Sequence, residues 1–327
     1  MIIERCGRTF INKQRMKPLL WEGLQAAMNR LPEYHESIPA LQTKQATVQA
    51  GFGGEQELDK IFERYPFSME YRVFQDLSLF TSTPFQLDTL FITPWYAIVF
   101  EVKNMSGELL VTENPPQLIR TLESGQVSRF NSPITQLENN CALFTDWLSR
   151  RGVSIPVYGV IVLAYPRQHI DVFDTNIPIL FPQAVPTFIR KLPTGVPLLE
   201  EADFEHLLTN LQKSHRQFIP PPICTTFSIP SEHIQTGVMC PNCHRLGMKK
   251  YTGGWRCLSC GKTSRYAHKQ AIREWFLLFG GAMRNQDCRH FLHVERQQTA
   301  HRLLTSMELE KKGSYRNRTY SMRFDME

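Results

Sequence analysis

The sequence predicts a mixed α/β protein whose main sheet is flanked by helices and followed by a small cysteine-containing unit and a helical tail. Three observations predict this organisation. Strand-like runs at 71–77, 85–92 and 97–103 are rich in β-branched and aromatic residues. Apolar residues recur at helical spacing in 17–31 and 133–150. Two Cys-x-x-Cys pairs lie at 240–260, apart from these elements.

Size and charge suggest more than one domain. A chain of 327 residues that is 42% hydrophobic suits one large domain with one or two small ones. The net charge of +6 is uneven, because residues 240–327 contain 17 Lys and Arg against 7 Asp and Glu, whereas residues 1–239 contain 20 against 24. A basic C-terminal third suggests a polyanion-binding appendage, although basic surfaces also serve solubility alone.

The N-terminal segment is charged, and no apolar stretch approaches the ~18 residues that a membrane-spanning helix needs. We therefore expect a cytoplasmic protein without a membrane partner. In that compartment, closely spaced cysteines favour metal binding over disulfides.

The sequence divides into successive predicted helices and strands. A helix at 17–31 is followed by a partly helical stretch at 33–50, and a glycine-rich run at 51–54 is expected to break the chain before a second helix at 55–64. After the three strands and the helix at 133–150, an apolar run at 157–164 predicts a strand buried on both faces. A short strand at 177–181 and a helix at 201–213 complete this domain.

The predicted boundaries are a helical lead-in at 1–50, an α/β domain at 51–213, a linker at 214–239, a cysteine unit at 240–262 and a tail at 263–327. The linker prediction rests on three consecutive prolines at 220–222 and on weak periodicity.

The predicted strands at 85–92 and 97–103 would form a hairpin that brings two acidic residues together. With Pro94 and Trp95 at the turn, Asp88 faces Glu101, and their Cβ atoms would lie about 5 Å apart on one face. Lys103 shares that face because it lies two residues beyond Glu101. Facing carboxylates repel each other, and a bound Mg²⁺ would remove the repulsion. The alternative is a solvated polar face, but Glu101 follows a strongly apolar run.

These residues resemble the nuclease-related domain called NERD. Gly54-Glu55, Asp88 in QLDTL, the run Glu101-Val102-Lys103-Asn104 and then Gly107 follow the family's order over roughly 45–190. That family is similar to the PD-(D/E)xK nucleases, so the resemblance implies a restriction-endonuclease-like sheet within 51–213.

The resemblance also implies roles. Asp88 and Glu101 would bind Mg²⁺ or Mn²⁺, Lys103 would be the catalytic lysine, and Glu55 would help to hold metal or water. Gln136 matches a recurrent polar position at the start of the next helix. Glu55 has an alternative role, since an acid in the first turn of a helix is favoured by the macrodipole.

The two Cys-x-x-Cys pairs predict a structural zinc site in a zinc ribbon. Thirteen residues separate the pairs, and each pair can form a tight turn on one side of a tetrahedral Zn²⁺. A four-cysteine shell is closed, so the metal would be structural rather than catalytic. Reduced thiols or disulfides are the alternative. The predicted ligands are Cys240, Cys243, Cys257 and Cys260.

The tail predicts a helix-turn-helix with a winged-helix-like basic hairpin. A first helix at 286–292, a turn at 293–294 and a recognition helix at 296–307 fit its apolar pattern. The alternative is a small helical bundle that docks protein. The residues expected to contact DNA are Arg296, Gln297, Gln298, Thr299, Arg302, Lys311, Lys312, Arg316 and Arg318.

Together these features predict a metal-dependent DNA nuclease that the zinc ribbon and the tail target to DNA. Two rivals remain: a non-catalytic DNA-binding or scaffold protein on a degenerate nuclease fold, and a transcription regulator that acts through the tail. The sequence leaves homo-oligomerisation open.

Overall fold

The computed structural model describes residues 11–165, 169–173, 175–314 and 317–324. The chain forms two compact units that interleave along the sequence. The described residues of the first unit lie in 11–16 and 49–217, and those of the second lie in 17–48 and 218–324.

The helices and strands alternate in the order that a mixed α/β chain predicts. In chain order they are β1 (Ile11–Lys13), α1 (Leu19–Arg30), α2 (Ile38–Arg64), β2 (Arg72–Phe80), β3 (Pro84–Ile92), β4 (Ala97–Lys103), β5 (Glu108–Thr112), β6 (Gln117–Thr121), β7 (Val127–Asn131), α3 (Pro133–Ser149), β8 (Val157–Leu163), β9 (His169–Val172), β10 (Ile179–Leu180), α4 (Val185–Lys191), α5 (Glu201–Ser214), α6 (Ile223–Thr226), β11 (Lys249–Tyr251), β12 (Gly254–Arg256), β13 (Thr263–Ser264), α7 (Ala267–Phe279), β14 (Met283–Arg284), α8 (Asn285–Leu292), α9 (Gln297–Thr305), β15 (Leu309–Lys312) and β16 (Thr319–Met322).

The main sheet of the first unit has the strand order β1-β2-β3-β4-β8-β10. Strands β2, β3 and β4 run antiparallel to one another, whereas β1 is parallel to β2, and β8 is parallel to both β4 and β10. Strand β4 is buried over nearly its whole length, because apolar residues cover both of its faces. The predicted mixed α/β class is confirmed, and β4 places Glu101 in the middle of the sheet.

The expected chain break at 51–54 is wrong. Helix α2 runs without interruption from Ile38 to Arg64. A Cβ at Gly54 would lie 2.5 Å from the Cβ of Asn104 and 3.2 Å from that of Ala164, so only glycine permits this close packing of the helix. Tertiary packing thus outweighs the cost of about 1 kcal/mol that glycine imposes on a helix interior.

A second sheet of the first unit has the order β7-β6-β5-β9. Strand β5 begins just after Gly107, which has φ +98° and lies against the carbonyl of Thr121. This sheet leads from the end of β4, through β7, into α3.

The second unit has a core of its own, to which residues 218–239 contribute. Ile223, Ile229, Ile234 and Val238 are buried there, where the sequence predicted a linker. The prolines at 220–222 precede the short helix α6 rather than an extended spacer. The apolar residues after them pack into the core of the second unit. The lead-in helix α1 belongs to the same core.

A buried ion pair lies in this core. Arg30 is fully buried and donates from Nε and Nη2 to Oε2 of Glu274, at 2.8 and 2.7 Å. Its Nη1 donates to the carbonyl oxygens of Gln235 and Gly237. The pair therefore connects α1, α7 and the segment before the cysteines.

Two small sheets complete the second unit. Strands β11, β12 and β13 form an antiparallel sheet at the four cysteines, where the sequence predicted a zinc ribbon. In the tail, α7, α8 and α9 are accompanied by a sheet with the order β14-β16-β15, in which β15 and β16 form a hairpin. In the part of the chain that the structure describes, no helix has the length and apolar character needed to cross a membrane.

Candidate functional site

The hairpin of β3 and β4 has the register that the sequence predicts. Thr89 pairs with Phe100, and Phe91 pairs with Ile98. The turn is held by Thr93, whose backbone N–H donates to the carbonyl oxygen of Tyr96 and whose hydroxyl accepts the N–H groups of Trp95 and Tyr96. Asp88 and Glu101 therefore come next in register.

The two carboxylates of the hairpin lie in different environments. Glu101 is only 2% exposed, so the reading of a solvated polar face is wrong for it. Asp88 is half-buried, and its Oδ2 accepts the backbone N–H of Val102 at 2.9 Å. This bond fixes Asp88 across the hairpin from Glu101 and connects the two strands just where their ladder ends.

Lys103 connects the hairpin with α3. Its Nζ donates to Oε1 of Glu101 at 2.6 Å and to Oε1 of Gln136 at 3.0 Å. Gln136 lies in the first turn of α3, after the N-cap Ser132, and is exposed. The structure thus brings Asp88, Glu101, Lys103 and Gln136 into one pocket.

Glu55 reaches the same pocket from α2. The residue lies in the middle of a continuous helix, so the macrodipole explanation of this acid is wrong. Gly54 allows α2 to approach the end of β4, and Asn104 donates from Nδ2 to the carbonyl oxygen of Ala50 at 2.7 Å. The position of Glu55 follows from this close packing.

Arg15 is a residue of the pocket that sequence reasoning missed. Its guanidinium donates to Glu55 and Asp59 and also to the carbonyl oxygen of Asp88 and the hydroxyl of Thr89. No local pattern marks Arg15, because it stands in the polar run after β1, 40 residues before Glu55. Asp59 gave a weaker signal, since it lies one helical turn after Glu55 on the same face.

Burial and neighbouring negative charges both disfavour the ionised form of the carboxylates in the pocket. Burial raises the pKa of Glu55 to about 8, and the charge of Asp88 adds to the effect while Arg15 opposes it. Burial raises the pKa of Glu101 to about 7, with Asp88 adding to the shift and Lys103 opposing it. Burial also raises the pKa of Asp88, against the N–H of Val102 and the charge of Lys103. Full ionisation near neutral pH therefore calls for additional positive charge.

The donor set fits one divalent cation. Mg²⁺ takes one or two carboxylates and fills its remaining positions with water or phosphate oxygens. Asp88 uses Oδ2 and Glu101 uses Oε1 in the bonds above, so the second oxygen of each takes part in neither bond. Oxygen ligands of this kind suit Mg²⁺ or Mn²⁺ and do not suit a softer ion.

The four cysteines form a second, separate site. Their sulfur atoms all lie within 4.8 Å of one another. In the described ranges, no other group of three or more His, Cys, Asp or Glu residues brings its ligand atoms this close together. The Sγ atoms of Cys240 and Cys260 lie 3.7 Å apart, and those of Cys243 and Cys257 lie 3.6 Å apart. A tetrahedral Zn²⁺ with bonds of about 2.3 Å separates its sulfur ligands by roughly 3.8 Å, so the cluster fits zinc.

In the tail, His293 caps the C-terminal end of α8 with φ +56°, and α9 follows after a short turn. Ala300, Leu303 and Leu304 are buried. Thr299 and Arg318 are half-buried, and Arg316 lies outside the described residues. The exposed residues among those predicted to contact DNA are Arg296, Gln297, Gln298, Arg302, Lys311 and Lys312.

Comparison with known proteins gives one family. The family model described as "Nuclease-related domain" (NERD) matches residues 50–164. No curated protein and no solved structure matches the chain.

Proposed function

Since residues 50–164 are a nuclease-related domain, we propose that the chain hydrolyses phosphodiester bonds of DNA with the help of Mg²⁺ or Mn²⁺. The observation that carries the proposal is the convergence of Asp88, Glu101 and Lys103 from two adjacent strands, with Glu101 buried beside the ammonium group. A buried carboxylate beside a half-buried one is costly for stability, and a bound divalent cation would offset that cost.

Each side chain has a role in this proposal. Asp88 and Glu101 bind the cation, which supplies a Lewis acid at the phosphate and makes a water molecule more acidic. Lys103 places its ammonium group beside the phosphate, where it stabilises charge that develops during cleavage. Gln136 and Glu101 position Lys103 through their bonds to Nζ. Glu55 lines the pocket from α2, where it is paired with Arg15.

DNA is the proposed substrate because of the charge and shape of the second unit. Residues 240–327 contain 17 Lys and Arg against 7 Asp and Glu. Helix α9 follows α8 as the recognition helix of a helix-turn-helix does, and its outward face includes Arg302. Zinc at the four cysteines would stabilise the ribbon beside this tail.

The direct test is cleavage of linear, circular and branched DNA by the zinc-loaded full chain with Mg²⁺ or Mn²⁺. Glu101→Gln keeps the size of the side chain and removes its charge, so cleavage should disappear while DNA binding persists. Glu205→Gln is the matched control, because Glu205 is an exposed partner of Arg72. Equal cleavage by the wild type and by Glu101→Gln would refute the assignment.

The rival is a non-catalytic DNA-binding or scaffold protein on the same fold, and no cleavage with any divalent ion would favour it. Arg302→Ala distinguishes the tail's contribution: DNA affinity should fall, and the salt dependence of binding should weaken by about one unit of slope. Full-length protein is required here, because α1 belongs to the core of the second unit.

A further inference from the structure

The acid pocket already contains a fixed cation. Arg15 has a side chain only 4% exposed, and three of its nitrogens donate to the pocket. Nη1 lies 2.6 Å from Oε2 of Glu55, and Nε lies 2.9 Å from Oδ2 of Asp59. Nη2 reaches Oδ1 of Asp59, the carbonyl oxygen of Asp88 and the hydroxyl of Thr89, at 3.3, 2.8 and 3.0 Å.

These contacts fix Arg15 in a single position. The planar guanidinium donates to both oxygens of Asp59, and its Nη2 also joins α2 to Asp88 at the end of the β3–β4 ladder. The backbone N–H of Arg15 also donates to the side chain of Gln75 on β2 at 2.7 Å. The cation is therefore part of the scaffold and does not depend on a bound substrate.

The arrangement divides the carboxylates into two sets. Glu55 and Asp59 face Arg15, whereas Asp88 and Glu101 face each other across the hairpin beside Lys103. Asp76, whose charge also acts on Glu55 and Asp88, lies 3.8 Å from the Nζ of Lys13.

The formal charges leave room for one divalent ion. Four carboxylates meet in the pocket, and two cationic side chains lie among them, which leaves two negative charges unmatched when every group is ionised. The carboxylates are Glu55, Asp59, Asp88 and Glu101, and the cations are Arg15 and Lys103.

We propose that Arg15 is a positioning residue that stands in place of a second divalent ion, so that the pocket binds one ion, through Asp88 and Glu101. This inference rests on the proposed metal-dependent function. Arg15 lies outside residues 50–164, so the family match does not assign it. Glu55 is then a partner of Arg15 that shapes the pocket, and it does not bind the metal.

The test counts Mn²⁺ ions by electron paramagnetic resonance and by calorimetry, on the zinc-loaded full chain without DNA. The ions of the pocket are those lost when Asp88→Asn and Glu55→Gln are combined in the same protein. We expect one such ion in the wild type and two in Arg15→Gln, because removal of the guanidinium frees Glu55 and Asp59 for a cation. Arg15→Lys keeps a positive charge and should bind one. Arg150→Gln, a change at an exposed ion pair, should also bind one.

The possible outcomes separate this inference from the proposed function. Two pocket ions in the wild type would overturn the role of Arg15 and leave the metal-dependent function intact. An unchanged count in folded Arg15→Gln would overturn it in the same way. No pocket ion in the wild type would remove both proposals. If Arg15→Gln does not fold, the wild-type count alone decides, since one ion supports the inference and two refute it.

Discussion

The Nζ of Lys103 lies 2.6 Å from Oε1 of Glu101, two residues earlier on β4. Glu101 is buried, and its partner is one-fifth exposed, so the pair connects the interior of the sheet with the surface where a substrate would arrive. In the proposed function, this ammonium group is the one that meets a phosphate.

We predict that Lys103→Ala lowers cleavage by about 10²–10³-fold, as loss of a preorganised charge-stabilising donor does in other enzymes. Binding of Mn²⁺ should persist, because Asp88 and Glu101 remain. Lys60→Ala is the control, since Lys60 is exposed and pairs with Glu57 on the surface of α2. Loss of Mn²⁺ binding together with cleavage would contradict a role confined to the phosphate.

The glycines of α2 allow a matched test of packing. Gly54→Ala introduces a Cβ 2.5 Å from that of Asn104, and we expect the free energy of unfolding to fall by about 1–3 kcal/mol. Gly53→Ala meets no atom within 4 Å, and it should raise stability by roughly 0.5–1 kcal/mol, because alanine favours the helix. Denaturant unfolding measures both. Equal effects of the two substitutions would mean that α2 does not pack against Asn104.

Zinc removal gives a third prediction. A strong chelator should release one zinc ion per chain and unfold the ribbon, in which Trp255 is 1% exposed. Zinc content and tryptophan fluorescence follow the two events. Cys240→Ala should abolish stoichiometric zinc binding, whereas Cys141→Ala, a change outside the cluster, should leave one zinc per chain. Retention of zinc by Cys240→Ala would contradict the assigned ligands.

His215 predicts a pH dependence of stability. Burial lowers the pKa of His215 to about 4, with the charge of Lys13 adding to the effect, and its Nδ1 accepts the N–H of Ser78. The unfolded chain binds this proton near pH 6.5, whereas the folded chain binds it near pH 4, so His215 makes stability fall as the pH drops through that window.

His215→Gln keeps an acceptor for Ser78 and removes the titration. Its free energy of unfolding should therefore change less between pH 6.5 and 4 than that of the wild type, as measured by urea unfolding at several pH values. Parallel pH profiles for the two proteins would show that His215 titrates alike in the folded and unfolded states.

The hairpin was predictable from the sequence because residues close to one another in the chain determine its turn and its register. Pro94 and Trp95 define a short turn, and an apolar run on each side fixes the register, so the positions of Asp88 and Glu101 follow by counting. The cysteine cluster was predictable for the same reason, since spacing within each pair sets the distance between ligands.

Long-range packing decided the rest. The glycines at 51–54 signal a break by local propensity, but the contact of Gly54 with β4 keeps the helix intact. The prolines at 220–222 suggested a spacer, yet the apolar residues after them complete a core to which residues 19–41 and 267–324 also contribute. No local sequence pattern identifies Arg15, because its partners in the pocket lie 40 or more residues away in the chain.

The interleaving of the two units governs how the protein can be divided. A fragment that begins at residue 50, where the family match begins, loses Arg15 and β1 from one folding unit and α1 from the other. The same cut leaves the carboxylate of Glu274 inside an apolar core without the guanidinium of Arg30. To obtain the DNA-binding candidate alone, one has to excise residues 49–217 from the middle of the polypeptide in addition to the segment before residue 17.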